Sequence, residues 1–144
     1  MKIFVFGSNT AGIHGGGAAR YAVEKHGAIM GQGVGLQGTS YALPTKDKFI
    51  QTLDLAYVHQ YVKRFMHFAR LSPGYTYMVT KVGCGLAGLT PEQIAPMFTG
   101  RPSNVRLPIE FLRILHGNDG PFPKEMISYM ENDREPNWKT DVAS

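Results

Sequence analysis

The apolar residues near the N-terminus form an uninterrupted run from Ile3 to Phe6, bounded by Lys2 and Gly7. A short, continuous apolar run predicts a strand that is covered on both faces, and therefore a central strand of a sheet. We expect this strand over residues 2–7, with a loop after it.

The clearest helical periodicity lies between residues 53 and 70. Apolar side chains recur there at helical spacing, at Leu53, Tyr57, Tyr61, Phe65 and Phe68. This spacing places them on one face of a helix, which we expect to pack on the core. A second, shorter helix is expected over residues 18–26, because small apolar residues recur there and Gly27 ends the pattern.

The remaining short elements alternate between strand and helix. Strands are expected over residues 40–44, 75–82 and 104–107, and helices begin at Thr90 and Pro108. The segment 31–38 is expected to be a loop. The alternation predicts a three-layer α/β domain with a central mixed sheet flanked by helices.

Length and composition favour one globular domain. The 144 residues are 43% hydrophobic, which is enough to form a core without disulfides or a structural metal, and the single cysteine cannot form an internal disulfide. We expect residues 1–120 to form the domain, and residues 121–144 to add a docked helix and tail. The N-terminal apolar run is too short for a signal peptide or a membrane span, which favours a cytoplasmic protein without a membrane partner.

Charge is distributed unevenly along the chain. The net charge is +4, but residues 122–144 carry −2 and the rest therefore +6. A basic body suits an anionic ligand. The chain has no run of five Lys or Arg residues, which disfavours a nucleic-acid arm. The pattern leaves the oligomeric state open.

Glycine is enriched, at 17 of 144 residues, and the first cluster of glycines follows the first strand. The strand leads into a glycine-rich loop and then a helix, an arrangement in which backbone N–H groups bind anions. The loop is not a P-loop, because no Lys-Ser or Lys-Thr follows the glycines. It is not a Rossmann fingerprint either, because the glycine spacing differs and no acidic residue follows a second strand. The candidate ligand-binding residues here are Ser8, Asn9, His14, Gly15, Gly16 and Gly17.

A second glycine cluster follows the strand expected over residues 75–82. Its candidate binding residues are Gly83, Cys84, Gly85, Leu86, Ala87 and Gly88. Two such loops at one sheet edge would form two walls of a cleft. Cys84 is either a nucleophile or a small packing residue, and packing is favoured because no base can be assigned to it.

A third segment, residues 31–47, offers uncharged hydrogen-bonding groups. Gln37 and Tyr41 are candidates for ligand contact, Tyr41 through its stacking face. Lys46 is either a phosphate partner or a solvated surface lysine. No metal-ligand spacing occurs, and no cofactor is implied.

The order of these motifs resembles that of macro domains, the ADP-ribose-binding α/β modules, and in particular a compact macro-like group from bacterial and phage genomes. The resemblance covers about residues 2–98 and rests on Asn9 after the first strand, Gly15-Gly16-Gly17-Ala18, the run from Tyr41 to Lys46, and Gly83 to Gly88. It implies that Asn9 lies near the distal ribose, Gly15 to Gly17 along that ribose and the pyrophosphate, and Gly85 to Gly88 at a second phosphate loop.

The first loop departs from the hydrolytic members of this family. These often carry an acidic residue just after the glycines, where this chain has Ala18 and Ala19. We therefore expect a protein that binds, and sequesters without turnover, ADP-ribose or a cyclic or conjugated relative. The alternatives are a hydrolase of ADP-ribose derivatives that uses His14 or Asp47, and a basic module that binds nucleic acid or protein.

Overall fold

The computed structural model describes residues 1–117, which form an α/β domain. The strands are β1 (Lys2–Asn9), β2 (Gly35–Gln37), β3 (Ser40–Lys46), β4 (Thr76–Val79) and β5 (Val105–Arg106). The helices are α1 (Gly17–Lys25), α2 (Leu55–Arg70), α3 (Pro91–Ile94) and α4 (Ile109–His116), and a 3-10 turn, Ala95–Phe98, follows α3. The helix and tail expected within residues 121–144 lie outside the described residues.

The five strands form one mixed sheet in the order β2-β3-β1-β4-β5. β1 is the central strand and runs parallel to both β3 and β4, while β5 extends the parallel part beyond β4. β2 pairs antiparallel with β3 at the other edge. The expected mixed sheet is confirmed.

Side chains of β1 alternate between two cores. Ile3 and Val5 pack in the larger core with residues of α2, α3 and α4, and Phe4 and Phe6 pack in a smaller core with the alanines of α1. Because α1 and α2 cover opposite faces of the sheet, the domain has three layers. The burial of Ile3 to Phe6 on both faces of the sheet explains this uninterrupted apolar run.

Several strand expectations need correction. β1 runs to Asn9 instead of ending at residue 7, and the strands expected over residues 75–82 and 104–107 cover only Thr76–Val79 and Val105–Arg106. The segment expected to be a loop contains β2, a three-residue strand whose glycine hides any strand pattern. β3 does not end at Pro44 but continues to Lys46. Pro44 lies opposite Ser8, where the register with β1 shifts, and such an irregularity tolerates a residue without an N–H donor.

The buried face of α2 also differs from the expected one. Phe65 is buried as expected, but Tyr57 is 55% exposed. The fully covered positions are Val58, Val62, Phe65, Met66 and Ala69, and Leu53, Tyr61 and Phe68 pack partly against them. The helix begins at Leu55, and its buried face is rotated from the expected one toward Val58 and Val62.

Candidate functional site

An open cleft of about 260 Å³ lies at the carboxyl ends of β1, β3 and β4. The chain leaves β1 toward β3 through α1 and leaves β4 toward β5 on the other side, so the loops after β1 and β4 diverge. This topological switch point is where ligands bind in open α/β sheets. The sheet topology thus opens a cleft between the two glycine loops.

The first wall is the entry to α1. Gly16 is the N-cap residue, with extended backbone and no side-chain cap, and the first turn has no acidic residue. The first helical bond runs from the Arg20 N–H to the Gly16 carbonyl at 3.2 Å. The backbone N–H groups from Gly15 to Ala19 therefore have no acceptor within residues 1–117. Gly15, Gly16, Ala18 and Ala19 line the cleft, so the positive end of the helix dipole opens toward it.

The second wall is the loop after β4. Gly83 and Gly88 both adopt φ of 78°, a conformation that favours glycine. The N–H of Leu89 donates to the Gly83 carbonyl at 2.8 Å and closes the loop. The N–H groups of residues 85–87 have no acceptor in the described part of the chain, and these three residues line the cleft.

Two lysines give the cleft a positive charge. Lys46 ends β3 and Lys81 follows β4, and both line the cleft. Lys81 Nζ also lies 3.2 Å from Glu110 Oε2, with both side chains 29% exposed. Among the lining residues, all within residues 1–117, there is no Asp or Glu. The cleft is therefore suited to an anion.

Ser8 and Asn9 line the cleft as expected, but they also shape the first loop. Ser8 Oγ donates to the Gly33 carbonyl at 2.6 Å. The Asn9 amide bonds Ile13 twice, donating to its carbonyl at 2.8 Å and accepting from its N–H at 3.0 Å. One amide hydrogen and one lone pair of Asn9 remain for a ligand.

His14 and Gln37 lie behind the first loop and do not line the cleft. His14 is 3% exposed, and its Nε2 lies 3.0 Å from the Gln32 carbonyl and 3.3 Å from Gln37 Oε1. Since both neighbours are acceptors, Nε2 carries the proton. Gln37 Oε1 also accepts the Ile29 N–H at 2.8 Å. Both side chains hold the loop together instead of facing a ligand.

Tyr41 is a core residue and not a stacking platform in the cleft. It is 3% exposed, its ring lies 4.9 Å from that of Phe65, and burial raises its pKa to about 12. The reason is strand alternation, which directs Tyr41 to the α2 side of the sheet.

Two candidates for a chemical role, Cys84 and Asp47, lie outside the cleft lining. Cys84 lies outside the lining, and burial raises the pKa of its thiol to about 11, so it is protonated at neutral pH. Asp47 Oδ1 accepts the N–H groups of Phe49 and Gln51 at 2.8 and 3.0 Å, which fixes a turn, and Asp47 also lies outside the lining. Gly17 and Gly88 are next to lining residues in the sequence but do not line the cleft themselves.

Several lining residues were not expected from the sequence. Thr45 is the last residue but one of β3, and Thr80 and Lys81 are the first two residues after β4, so their position at the carboxyl edge of the sheet was the available signal. Ile13 and Ile50 contribute aliphatic surface from loops, where no sequence pattern marks them.

Within residues 1–117, no helix combines the length and apolar character needed to cross a membrane. Comparison of the chain with protein-family models, curated proteins and solved structures found no match.

Proposed function

We propose that this protein binds an NAD-derived nucleotide, ADP-ribose or a cyclic or conjugated relative, in the cleft between its two glycine loops. The observation that carries the proposal is the pair of N–H clusters without acceptors in residues 1–117, residues 15–19 and 85–87, on the two walls of one cleft at the switch point of the sheet. Unpartnered N–H groups at a helix start are an established type of phosphate site.

A ligand with two adjacent phosphates suits this arrangement. One phosphate would accept hydrogen bonds at the α1 entry and the other at the loop after β4. Lys46 and Lys81 would offset the remaining charge, since both line the cleft without a competing lining carboxylate. A pyrophosphate held in this way leaves the attached sugars and base to contact the aliphatic and polar lining residues.

The resemblance to macro domains agrees with this assignment. The resemblance implies that Asn9 and the first glycines contact the ribose and the pyrophosphate, and that the second glycine loop contacts the phosphates. Asn9, Gly15, Gly16 and Gly85 all line the cleft. We infer a macro-like binding mode from this agreement of position.

The lining supports binding without turnover over hydrolysis. A general base must lie within hydrogen-bond reach of the water that it activates. The two candidates for the base, His14 and Asp47, both lie outside the cleft lining and are engaged in loop and turn hydrogen bonds. Hydrolysis of an ADP-ribose derivative remains the alternative, with a water activated by the substrate's own phosphate.

The direct test is isothermal titration of the full chain with ADP-ribose and a panel of cyclic ADP-ribose isomers, followed by chromatography of the ligand released on heating. We expect saturable binding of at least one member, with the ligand recovered unchanged. A cleaved product would move the assignment to a hydrolase. Absence of binding by the whole panel would contradict the proposal.

A charge-introducing variant locates the binding. Gly16→Glu adds a carboxylate at the α1 entry, and the extended backbone there accepts any residue. We expect affinity to fall by about a hundredfold or more, because a like charge beside a bound anion costs several kcal/mol. Gly74→Glu is the matched control, since Gly74 lies outside the lining and a side chain there meets open space. Equal affinities of the two variants would place the ligand elsewhere.

A further inference from the structure

A tight turn at the mouth of the cleft holds a residue in an unusual conformation. Ile50 has φ of 63° and is the one residue other than glycine with positive φ within residues 1–117. The left-handed region is costly for a β-branched side chain. Ile50 is also 42% exposed and lines the cleft, so an aliphatic side chain faces both the solvent and the proposed ligand.

The turn that carries Ile50 is held by many hydrogen bonds. The Asp47 N–H donates to the Gln51 carbonyl at 2.8 Å, and the Ile50 N–H donates to the Asp47 carbonyl at 3.1 Å. The Asp47 carboxylate accepts two further N–H groups of the same turn. Thr52 Oγ1 then donates to the Ala87 carbonyl at 2.7 Å, which ties the turn to the second glycine loop. The surroundings thus fix the position of Ile50 relative to that loop.

The chemistry of Ile50 differs from that of the phosphate-binding walls. An aliphatic side chain cannot donate a hydrogen bond to a phosphate, but it can pack against the face of a nucleobase. Two other exposed aliphatic residues, Ile13 and Leu86, line the same cleft from the first and second glycine loops. The mouth of the cleft therefore combines apolar side chains with the basic, N–H-rich walls.

We propose that Ile50 is a specificity-determining residue that packs against the nucleoside part of the bound ligand, so that the cleft selects a nucleoside diphosphate over a sugar phosphate. This inference rests on the proposed nucleotide-binding function. It assigns to the 47–51 turn a role separate from phosphate binding.

The test uses Ile50→Gly, which removes the side chain and relieves the positive φ. Affinity for ADP-ribose and for ADP, measured by isothermal titration, should each fall about tenfold, a typical effect of removing apolar contact in a pocket, whereas affinity for ribose 5-phosphate, which has no base, should stay unchanged. The midpoint of thermal unfolding should stay unchanged or rise, because glycine adopts this φ without strain. Ile29→Gly is the matched control, since Ile29 is 52% exposed and lies outside the cleft lining, and it should keep wild-type affinity.

Ile50→Asn provides a second variant, because asparagine tolerates the left-handed region but does not offer an aliphatic surface. It should weaken ADP-ribose binding as glycine does. Affinity within twofold of wild type for both Ile50 variants would overturn the inference while leaving the proposed function intact. A loss matched by Ile29→Gly, or accompanied by a lower unfolding midpoint, would also overturn it. Failure of the wild-type chain to bind would overturn both proposals.

Discussion

Lys46 and Lys81 supply the positive charge of the cleft, and their surroundings differ. Lys81 is paired with Glu110, whereas no salt bridge is found for Lys46 within residues 1–117. Because the Lys81 pair is partly exposed, it contributes little to stability. Both lysines are therefore expected to matter more for binding than for folding.

Replacing each lysine by methionine keeps most of the side chain and removes the charge. We expect Lys46→Met to weaken ADP-ribose binding by about tenfold, the typical value of a charge-assisted hydrogen bond. Lys81→Met should also weaken it by about tenfold, since the Lys81 ammonium lines the cleft as Lys46 does. Isothermal titration measures both.

Lys63→Met is the matched control because Lys63 is exposed on α2 and lies outside the lining. Its affinity should equal that of the wild-type chain. If all three variants lose affinity equally, the net charge of the molecule and not the cleft lysines drives binding.

Gly15 in the first glycine loop and Gly33 in the segment 31–47 are glycines for different physical reasons. At Gly15 an added Cβ would meet open space, which leaves the backbone accessible to a ligand. Gly33, in the third glycine segment, instead lies against the first loop, and a Cβ there would be 2.4 Å from the Asn9 carbonyl oxygen and 2.6 Å from that of Thr10. The third segment therefore supports the first loop by close backbone contact.

This contact predicts that Gly33→Ala destabilises the domain. Since the clashing atoms are backbone and cannot rotate away, we expect the free energy of unfolding to fall by about 1–3 kcal/mol, as in overpacked cores. Gly15→Ala should change it by less than about 0.5 kcal/mol, as for an exposed substitution. Urea denaturation measures both, and equal stabilities of the two variants would contradict the packing role of Gly33.

The elements were predictable where one physical signal dominated. The apolar run of β1 and the periodicity of α2 each led to the right element, because burial on two faces or on one face sets the sequence pattern. β2 was missed since a three-residue edge strand with a glycine leaves no pattern. The exact face of α2 was missed because aromatic residues such as Tyr57 can stay exposed.

The site was predictable only in its backbone. Glycine loops after two strands indicated the two walls of the cleft, and eight candidates line it: Ser8, Asn9, Gly15, Gly16, Gly83, Gly85, Leu86 and Ala87. The contributions of side chains were not predictable. The face on which Tyr41 lies depends on strand register, and His14 is buried because it hydrogen-bonds the carbonyl of Gln32 in another loop. Ile50 gave no signal because its place in the cleft lining follows from the hydrogen-bonded turn of residues 47–51.

At the scale of the whole molecule, the order of the strands explains why the two loops face each other. β1 and β4 are parallel neighbours, so the loops after them begin side by side at one edge and then diverge. α1 covers one face and α2 the other, and the cleft opens at the edge between them. We propose that the backbone N–H groups of both loops bind one nucleotide.

The most direct test of this claim is an amide NMR titration of the isotope-labelled full chain with ADP-ribose. The largest shift changes should fall on the N–H groups of residues 15–19 and 85–87 together, with smaller changes at Lys46 and Lys81. Phosphate contact at both loops predicts that the two groups follow a single binding curve. Shift changes confined to one loop, or centred on residues outside the cleft, would contradict the account.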